Sequence, residues 1–284
     1  MKPAAFAYAK ARSIDHAIEL LGAPEARLLA GGQSLMAGLN MRLASPSILI
    51  DINDIAGLDR IEFKDGRVEI GAMVRHVQAE RSEIIARHAP FIARAMPHIA
   101  HVAIRNRGTI GGSLAYADPA AELPACMVAL DADFEIAGPN GRRKVRAGDF
   151  FKGMFETALG AQDMLVAMSF PAATAQTCTG FEELARRHGD YATVGLAASA
   201  KASDQASRKG MHDVRLIYFS VGDAPVRARN AETAIAAGDL EAAVAALATD
   251  LSPSADLEAS GKVKLHLAGV LLRRVVRQFE GARA

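Results

Sequence analysis

The sequence predicts an α+β fold built from two or three packed units. Its 284 residues exceed what one ordinary domain needs. Half of the residues are apolar and the net charge is only +1, which argues against a disordered chain and against a nucleic-acid-binding surface. Strand-like and helix-like patterns also alternate along the chain, first around a glycine turn and later as hairpins followed by helices.

Residues 1–55 are predicted to form a small first lobe. The expected elements are a helix over 14–21, a buried strand over 27–30, a helix over 35–43 and a buried strand over 48–52. Pro46 ends the second helix because proline lacks an N–H and disfavours helix at the preceding residue. The unit resembles a βαβ phosphate-binding unit but lacks the G-x-G-x-x-G spacing of a Rossmann fingerprint.

Residues 56–175 are predicted to form a second lobe of hairpins and helices. An Asp-Gly pair at 65–66 and a Pro-Asn-Gly turn at 139–141 each join two strands. The expected elements are strands over 60–63, 67–71, 134–137, 143–146 and 164–168, a single long helix over 74–88, and helices over 91–96 and 119–131.

Residues 176–284 are predicted to form a third, C-terminal unit. The small and polar stretch 172–177 precedes it and has the composition of a linker. The expected elements are strands over 180–184, 192–200 and 214–221, then helices over 231–237, 240–247 and 263–279. The last helix has one continuous apolar face, so we expect it to dock on the sheet.

Two glycine turns carry the strongest functional signal in the chain. The first reads Ala-Gly-Gly-Gln-Ser over 30–34 and the second reads Thr-Ile-Gly-Gly-Ser over 109–113. Glycine lets the backbone take positive φ and lie flat against a ligand, while hydroxyls and unpaired amides can bind phosphate. Together the turns could bracket the pyrophosphate of a dinucleotide. The alternative is two strand-to-helix turns in which glycine serves geometry alone, and spacing does not decide between them.

The sequence predicts neither a metal site nor a side-chain catalytic set on this chain. Cys126 and Cys178 are single and far apart, whereas a structural zinc or an iron–sulfur cluster usually needs about four ligands. His98 and His101 are three residues apart, but no carboxylate-rich context accompanies them. No Ser–His–Asp or paired-carboxylate arrangement is expected.

Targeting signals are not evident in the sequence. No apolar run approaches the roughly twenty residues that span a bilayer. The N-terminal residues Met-Lys-Pro-Ala do not have the charged-then-apolar pattern of a signal peptide. We therefore expect a soluble, cytoplasmic protein.

Several stretches taken together resemble a known family. They are Ala-Gly-Gly-Gln-Ser-Leu at 30–35, Leu-Ile-Asp-Ile at 49–52, Ile-Arg-Asn-Arg-Gly-Thr-Ile-Gly-Gly-Ser at 104–113, Asp-Pro-Ala at 118–120 and Gly-Asp-Tyr-Ala at 189–192. They closely resemble the medium, FAD-binding subunits of the molybdenum hydroxylases, the carbon monoxide dehydrogenase and xanthine dehydrogenase family. The resemblance covers essentially the whole chain. It implies an FAD-binding fold of the vanillyl-alcohol oxidase (PCMH) type in two lobes, then a C-terminal α+β domain with an antiparallel sheet and helices.

The resemblance also implies which residues hold FAD. In the two turns and their flanks they are Leu28, Leu29, Ala30, Gly31, Gly32, Gln33, Ser34, Leu35, Thr109, Ile110, Gly111, Gly112 and Ser113. Glu122 stands where relatives carry an acidic residue, commonly Asp, that contacts the sugar chain of the flavin. Asp118 is a second candidate, although Asp-Pro is also an ordinary helix start. From this site we expect Gly32→Val or Gly111→Val to prevent flavin binding in a folded protein.

Two further residues are implied at the isoalloxazine end of FAD. Leu165 resembles the residue whose backbone contacts the ring or its chain, and Tyr191 resembles the aromatic that covers one ring face. The alternative for Tyr191 is an ordinary tyrosine at a strand edge. Some relatives carry Lys in the stretch that reads Ala-Arg-Arg here, so a cation near the flavin would have to be Arg186 or Arg187. These arginines could equally be solvated, and His188 has no assigned role.

The resemblance implies a division of labour among subunits. A large subunit holds the molybdenum cofactor, a small subunit holds two 2Fe–2S clusters, and FAD on this chain passes electrons to NAD, a quinone, O₂ or another acceptor. The expected assembly is an αβγ unit or its dimer, with no nucleic acid and no membrane span. The lack of paired cysteines agrees with clusters on another chain. The alternatives are a stand-alone FAD oxidoreductase and a flavin-free assembly subunit, and the sequence does not identify the substrate.

Overall fold

The chain forms four β-sheets within residues 2–204 and 209–281, which the computed structural model describes. The first is a parallel three-stranded sheet of order β1-β3-β2. Its lobe contains β1 (Ala7–Lys10), α1 (Ile14–Leu20), β2 (Ala26–Leu29), α2 (Leu35–Asn40) and β3 (Ile48–Asp51). The predicted strand–turn–helix–strand unit is therefore confirmed. Strand β1 was not predicted, because its residues are mostly exposed and give no apolar run.

The second lobe is built on a five-stranded antiparallel sheet of order β4-β5-β10-β6-β7. Its strands are β4 (Ile61–Lys64), β5 (Arg67–Gly71), β6 (Asp133–Gly138), β7 (Gly141–Arg146) and β10 (Met164–Pro171), with β8 (Phe151–Gly153) and β9 (Glu156–Thr157) as a separate pair. Asp65 and Gly66 have φ of 50° and 74°. Positive φ at both central residues is what a type I′ hairpin turn requires, so the predicted Asp-Gly hairpin is confirmed.

Short helices cover this sheet and connect its strands. They are α3 (His76–Arg81), α4 (Glu83–His88), α5 (Pro90–Ala95), α6 (Val102–Arg105), α7 (Ile110–Tyr116), α8 (Glu122–Ala129) and α9 (Ala147–Phe150). The prediction of one long helix over 74–88 is wrong. Ser82 leaves the helical conformation and its side chain accepts a hydrogen bond from the Ile85 N–H, which ends α3 and caps α4.

The C-terminal unit is an antiparallel sheet covered by three helices. Its elements are β11 (Thr177–Ala185), β12 (Ala192–Asp204), β13 (Lys209–Phe219), β14 (Val226–Arg227), α10 (Arg229–Ala236), α11 (Leu240–Asp250) and α12 (Gly261–Phe279). Helix α12 contacts β11 and β12, and its buried face includes Leu271, Leu272 and Val275. The predicted docking of this helix on the sheet is confirmed.

Three hydrophobic clusters stabilise these units, and two of them cross between units. The first packs the parallel sheet against β10, joining Ile50 and Ile52 to Met164 and Val166. The cluster of the second lobe continues into the C-terminal sheet, while the third lies between that sheet and its helices. The domain boundaries at residues 55 and 175 stay a prediction. No helix in the described ranges has the length and apolarity needed to span a membrane.

Candidate functional site

The structure brings the two glycine turns into contact. The first follows the carboxyl end of β2, and the second runs into α7. A methyl group added at Gly112 would lie 3.8 Å from the Cβ of Ala30, and one added at Gly31 would lie 2.9 Å from the Cα of Gly108. Only residues without a bulky side chain allow backbones to approach this closely. The two turns therefore lie together, as a shared ligand site would require.

The first turn forms a shallow pocket with an unusual backbone. Gly32 has φ of 71°, and the pocket volume is about 290 Å³. Its lining consists of Leu29, Ala30, Gly31, Gly32, Gln33, Met36, Asp51, Asn53 and Arg107. Within the described ranges, no backbone N–H group of residues 31–34 donates a hydrogen bond. A turn that presents consecutive free N–H groups is a binding site for anions.

The Ala30, Gly31 and Gly32 carbonyl groups of the same turn accept hydrogen bonds within the protein. The Asn53 side chain donates to the Ala30 carbonyl at 3.1 Å, the Gln33 side chain donates to the Gly31 carbonyl at 2.9 Å, and the Met36 N–H donates to the Gly32 carbonyl at 3.1 Å. Ser34 precedes α2 without a capping hydrogen bond, so its hydroxyl is available. The first turn thus has free hydrogen-bond donors, while these carbonyl acceptors are already engaged.

The second turn uses its backbone N–H groups within the protein. Gly111 donates to the Ala72 carbonyl at 2.9 Å, and Ser113 donates to the Thr109 carbonyl at 3.0 Å. The Gly112 N–H donates to Thr109 Oγ1 at 3.0 Å, so Thr109 is the N-cap of α7. The expectation of unpaired amides therefore holds for the first turn and not for the second. The side-chain groups that the second turn still offers are the half-buried Ser113 hydroxyl and that of Thr109, a residue that is only 2% exposed.

The two glycines chosen for substitution differ in the space available for an added side chain. At Gly32, a Cβ would meet the Leu29 and Met36 side chains at 3.2 and 3.3 Å, which leaves room for adjustment. At Gly111, a Cβ would lie 2.6 Å from the Ala72 carbonyl oxygen, which belongs to the backbone and cannot move alone. The expectation that Gly111→Val gives a folded protein is therefore wrong.

Asn53 and Arg75 join the two turns and were not predicted. Asn53 donates to the carbonyls of the first turn and accepts from Arg75 Nη2 at 2.5 Å. Arg75 Nη1 donates to the Arg107 carbonyl at the start of the second turn. A signal for Asn53 does exist in the sequence. Because β2 and β3 are parallel, residues after their carboxyl ends meet at one edge of the sheet, where ligands commonly bind.

Asp51 holds Asn53 in place from the end of β3. Its Oδ1 accepts from the Asn53 backbone N–H at 2.9 Å and from Asn53 Nδ2 at 2.6 Å, while its Oδ2 accepts from the Tyr8 hydroxyl at 2.6 Å. Partial burial opposes ionisation of Asp51, but the hydrogen bonds outweigh it and lower its pKa. Asp51 is thus an ionised carboxylate whose oxygens are already engaged.

His76 lies beneath the second turn as a buried neutral ring. Its backbone N–H donates to the Gly108 carbonyl at 3.0 Å, and its ring lies 3.1 Å from where a Gly108 Cβ would be. Neither ring nitrogen has a hydrogen-bond partner among the described residues. Burial, together with the smaller effects of the Arg105 and Arg75 charges, lowers the pKa of His76 to about 4. The ring supports the turn by packing.

Glu122 opens α8 as a buried carboxyl group. It is 8% exposed, and burial together with the nearby charge of Glu183 raises its pKa to about 8. Glu183 itself faces His98, with Oε1 3.1 Å from Nδ1, and this hydrogen bond raises the pKa of His98. A protonated carboxyl can both donate and accept a hydrogen bond, which suits contact with a sugar hydroxyl.

Tyr191 and Asp118 lie near each other beside the start of α8. Partial desolvation and then the charge of Asp118 raise the pKa of Tyr191, whose side chain is 69% exposed. Asp118 accepts from the Ala120 N–H at 2.9 Å, so it forms a turn before α8, which begins at Glu122 and not at the predicted residue 119. The exposed Tyr191 ring has a free face for a ligand.

The remaining predicted residues lie in strands and helices and differ in burial. Leu28 pairs with Ile50 in the parallel sheet, Leu35 opens α2, and Ile110 is fully buried in α7. Leu165 is 5% exposed and lies beside a register shift in the pairing of β10 with β6. Such a bulge leaves backbone groups outside the regular ladder.

The arginines after β11 have surface positions. Arg186 forms an ion pair with Glu258 at 2.8 Å and its side chain is 68% exposed. The ring of His188 stacks on that of His98, with centroids 6.2 Å apart. Among the described residues, no group of three or more His, Cys, Asp or Glu side chains is arranged to hold a metal ion.

The donor set fits a dinucleotide such as FAD. The free N–H groups of residues 31–34 and the hydroxyls of Ser34, Thr109 and Ser113 suit a pyrophosphate, and the closely packed glycines leave it room. Glu122 can hydrogen-bond a sugar hydroxyl, and Tyr191 offers an aromatic face. The residues present therefore match both the charged and the aromatic parts of the cofactor.

Comparison with known proteins gives the same result over the whole chain. Residues 4–173 match the family described as the FAD binding domain in molybdopterin dehydrogenase, and residues 179–279 match the CO dehydrogenase flavoprotein C-terminal domain. The nicotine 6-hydroxylase medium subunit of Paenarthrobacter nicotinovorans is 37% identical, over 97% of this chain and 98% of that protein. The 6-hydroxypseudooxynicotine dehydrogenase complex subunit alpha of the same organism is 35% identical, over 97% and 95%.

A solved structure has the same fold along its entire length. It is a carbon monoxide dehydrogenase from Hydrogenophaga pseudoflava that lacks the Mo-pyranopterin moiety of the molybdenum cofactor. The TM-score is 0.93 with 35% sequence identity, and the alignment covers 100% of both chains. The similarity therefore includes the two glycine turns and the C-terminal sheet together.

Proposed function

The chain belongs to the FAD-binding medium subunits of the molybdenum hydroxylase family, and from this we propose that it is the electron-transfer subunit of its complex. It has the PCMH-type FAD-binding fold followed by the C-terminal domain of CO dehydrogenase flavoproteins, and it is part of an oxidoreductase. In the proposed role it takes electrons from two 2Fe–2S clusters on a small partner subunit. Hydroxylation takes place at the molybdenum cofactor of a large partner subunit.

The observation that carries the proposal is the set of free N–H groups at residues 31–34, opposite the second glycine turn. We assign the pyrophosphate of FAD to this place, with the Thr109 and Ser113 hydroxyls on its other side. Glu122 is assigned to the sugar chain and Asp118 is retained as the second candidate. Leu165 and Tyr191 are assigned to the isoalloxazine end.

The protein's contribution is to bind and shield the cofactor. FAD, when bound, supplies redox chemistry that connects one-electron clusters to a two-electron acceptor. The first turn neutralises part of the pyrophosphate charge without a metal ion, because its N–H groups are free and fixed. Tyr191 limits the access of water to one ring face, while the opposite face stays open to the acceptor.

The partners and the acceptor are part of the same proposal. An αβγ unit or its dimer accounts for clusters on another chain, since this one has only two cysteines, both buried. NAD, a quinone and O₂ are the candidate acceptors, and the substrate is selected on the large subunit. A cytoplasmic location stays a prediction from the sequence.

The visible absorption spectrum tests the proposal, measured on the full chain alone and on the complex with its co-purifying partners. We expect flavin bands in both samples, one FAD per chain after extraction, and iron–sulfur absorbance in the complex alone. Activity of the chain without partners would indicate a stand-alone FAD oxidoreductase. A chain without flavin in both samples would indicate an assembly subunit, and the proposal would fail.

A further inference from the structure

We propose that Arg75 and Asn53 form a positioning pair that holds the two glycine turns at the separation needed for the pyrophosphate of FAD. This inference rests on the proposed function and extends it to two residues outside the glycine turns themselves. Arg75 comes from the second lobe, just before α3, and Asn53 comes from the first lobe, just after β3. Their contact therefore ties one lobe to the other at the candidate site.

Asn53 is fixed to the first turn by its donor group. Its Nδ2 donates to the Ala30 carbonyl at 3.1 Å, to the Leu29 carbonyl at 3.3 Å and to Asp51 Oδ1 at 2.6 Å. These acceptors determine which side of the amide carries the nitrogen, so Oδ1 must face the opposite way. That oxygen is the atom on which Arg75 donates.

Arg75 connects this oxygen to the second turn. Its Nη2 donates to Asn53 Oδ1 at 2.5 Å, and its Nη1 donates to the Arg107 carbonyl. The backbone of Arg75 is itself fixed, because its N–H donates to the Gln78 side chain at 2.7 Å and the residue pairs with Thr109 in an isolated bridge. A planar guanidinium can bind two acceptors in fixed directions, which the single ammonium of lysine cannot reproduce.

The Arg107 carbonyl lies between Arg75 and the first turn. A Cβ added at Gly31 would overlap this carbonyl, so the two turns are in contact here. With Arg75 donating to it, the carbonyl is held by a hydrogen bond while the glycine backbone packs on it. Without that donor, the Arg107 carbonyl loses the side-chain hydrogen bond that ties it to Asn53, while Arg105 still anchors the preceding helix α6 through Glu80.

The charge of Arg75 also suits an anionic ligand. Its two acceptors are neutral, and no carboxylate of the described residues forms an ion pair with it. Burial and the neighbouring charge of Arg107 lower the pKa of Arg75, which is still a cation at neutral pH. The Asp51 carboxylate favours the charged form of Arg75 without forming an ion pair with it, and the positive charges of Arg75 and Arg107 beside the pocket favour a bound pyrophosphate.

A double-mutant cycle on FAD affinity tests the pair. Full chains carrying Arg75→Met, Asn53→Ala and both changes are freed of flavin and titrated with FAD, using the quenching of flavin fluorescence. We expect each single change to weaken binding by about tenfold or more, the effect of losing a hydrogen bond to a charged group. The double variant should bind about as weakly as the weaker single one, because both changes break the same connection.

Two controls separate positioning from stability and from charge. Arg67→Met removes another half-buried arginine, which joins Asp133 and Ser169 far from the turns, and should lower the melting temperature without changing FAD affinity. Arg75→Lys keeps the charge but loses the two directed hydrogen bonds, so it should bind FAD more weakly than the wild-type chain and somewhat more tightly than Arg75→Met. If Arg75→Met fails to fold, Arg75→Lys replaces it in the double-mutant cycle. Riboflavin, which has no phosphate, should bind the wild-type chain and Arg75→Lys equally.

The outcomes distinguish the two proposals. A wild-type chain that binds no FAD contradicts the proposed function. A wild-type chain that binds FAD, with Arg75→Lys and Asn53→Ala binding it equally well, overturns the positioning pair alone. Independent, multiplicative losses in the double variant would also overturn it, because they would mean that the two residues act separately.

Discussion

The two glycine turns have almost the same residues and opposite hydrogen-bonding states. In the first, the carbonyls of residues 30–32 are satisfied and the N–H groups of residues 31–34 are free. In the second, the N–H groups of Gly111, Gly112 and Ser113 are all engaged. The first turn is therefore suited to binding an anion, and the second to holding the fold together. Similar motifs do not tell which backbone groups are available to a ligand.

The neighbouring chain segments cause this difference. Residues 72–76 run alongside the second turn and form hydrogen bonds with it. The Ala72 and Val74 carbonyls accept from N–H groups of the turn, and the His76 N–H donates to the carbonyl of the residue before it, Gly108. Beside the first turn lies the Asn53 side chain, which donates to carbonyls and leaves the N–H groups alone. The segment beside the second turn therefore uses N–H groups of that turn, whereas the Asn53 amide beside the first turn leaves the N–H groups there free for an anion.

The largest expected effect is a loss of stability caused by a substitution in the second turn. Gly111→Val should prevent stable folding or lower the free energy of unfolding by about 3 kcal/mol or more, because its Cβ overlaps the Ala72 backbone. Thermal unfolding followed by circular dichroism measures this. Gly148→Ala is the control, since no atom lies within 4 Å of the added carbon. A stable Gly111→Val chain would contradict the assigned packing role of the second turn.

A pH effect on stability is expected from the ring beneath the second turn. Burial holds the pKa of His76 near 4, against an ordinary value of 6.5. Between these values the unfolded chain binds a proton that the folded chain does not, so the free energy of unfolding falls as pH drops from 6.5 to 4. The loss attributable to this ring should approach about 3 kcal/mol.

Denaturant unfolding at several pH values checks this, with His76→Leu as the comparison. The variant should lack the part of the slope that the ring causes, while carboxylates elsewhere continue to titrate. Equal slopes in the two proteins between pH 4 and 6.5 would mean that His76 is not a buried neutral support.

In the first turn, the expected effect is on binding more than on folding. Gly32→Val should cost about 1–2 kcal/mol of stability, since a side chain at positive φ is strained. It should also lower the flavin content of the purified chain to near zero, because the side chain would enter the pocket beside Leu29 and Met36. Flavin absorbance per chain measures the loss, and Gly38→Ala in α2, which has open space, should retain full flavin. Full occupancy in Gly32→Val would place the pyrophosphate elsewhere.

The smallest effect concerns the shared hydroxyl at the second turn. Thr109→Ala removes the N-cap of α7 and should lower the free energy of unfolding by about 1 kcal/mol. It also removes one of the hydroxyls assigned to the pyrophosphate, so FAD affinity should fall as well. Thr109→Ser retains the cap oxygen and should restore both properties. If Thr109→Ala loses stability but binds FAD normally, the second turn acts through packing alone.

The sequence by itself determined the local elements and the identity of the turns. Apolar periodicity located most of the longer strands and helices but not short elements such as β1, β8, β9, β14, α6 and α9. The Asp-Gly pair at 65–66 specified a hairpin because few residues adopt positive φ twice in succession. It did not reveal that Ser82 divides one helical stretch into α3 and α4, since both halves carry helical residues and only the cap geometry ends the first. Local conformational preferences depend on a few neighbouring residues, so the sequence alone is enough to predict them.

Tertiary structure alone decided which groups at the site are free. The Ala72 backbone fills the space at Gly111, and Arg75 joins Asn53 to Arg107 across the two lobes. No local pattern marks these contacts, because each depends on segments that are distant in sequence meeting at one edge of a sheet. Hydrogen bonds are satisfied by whichever partner the fold brings within reach. The sequence therefore identified the two turns, and packing left the N–H groups free in one and engaged them in the other.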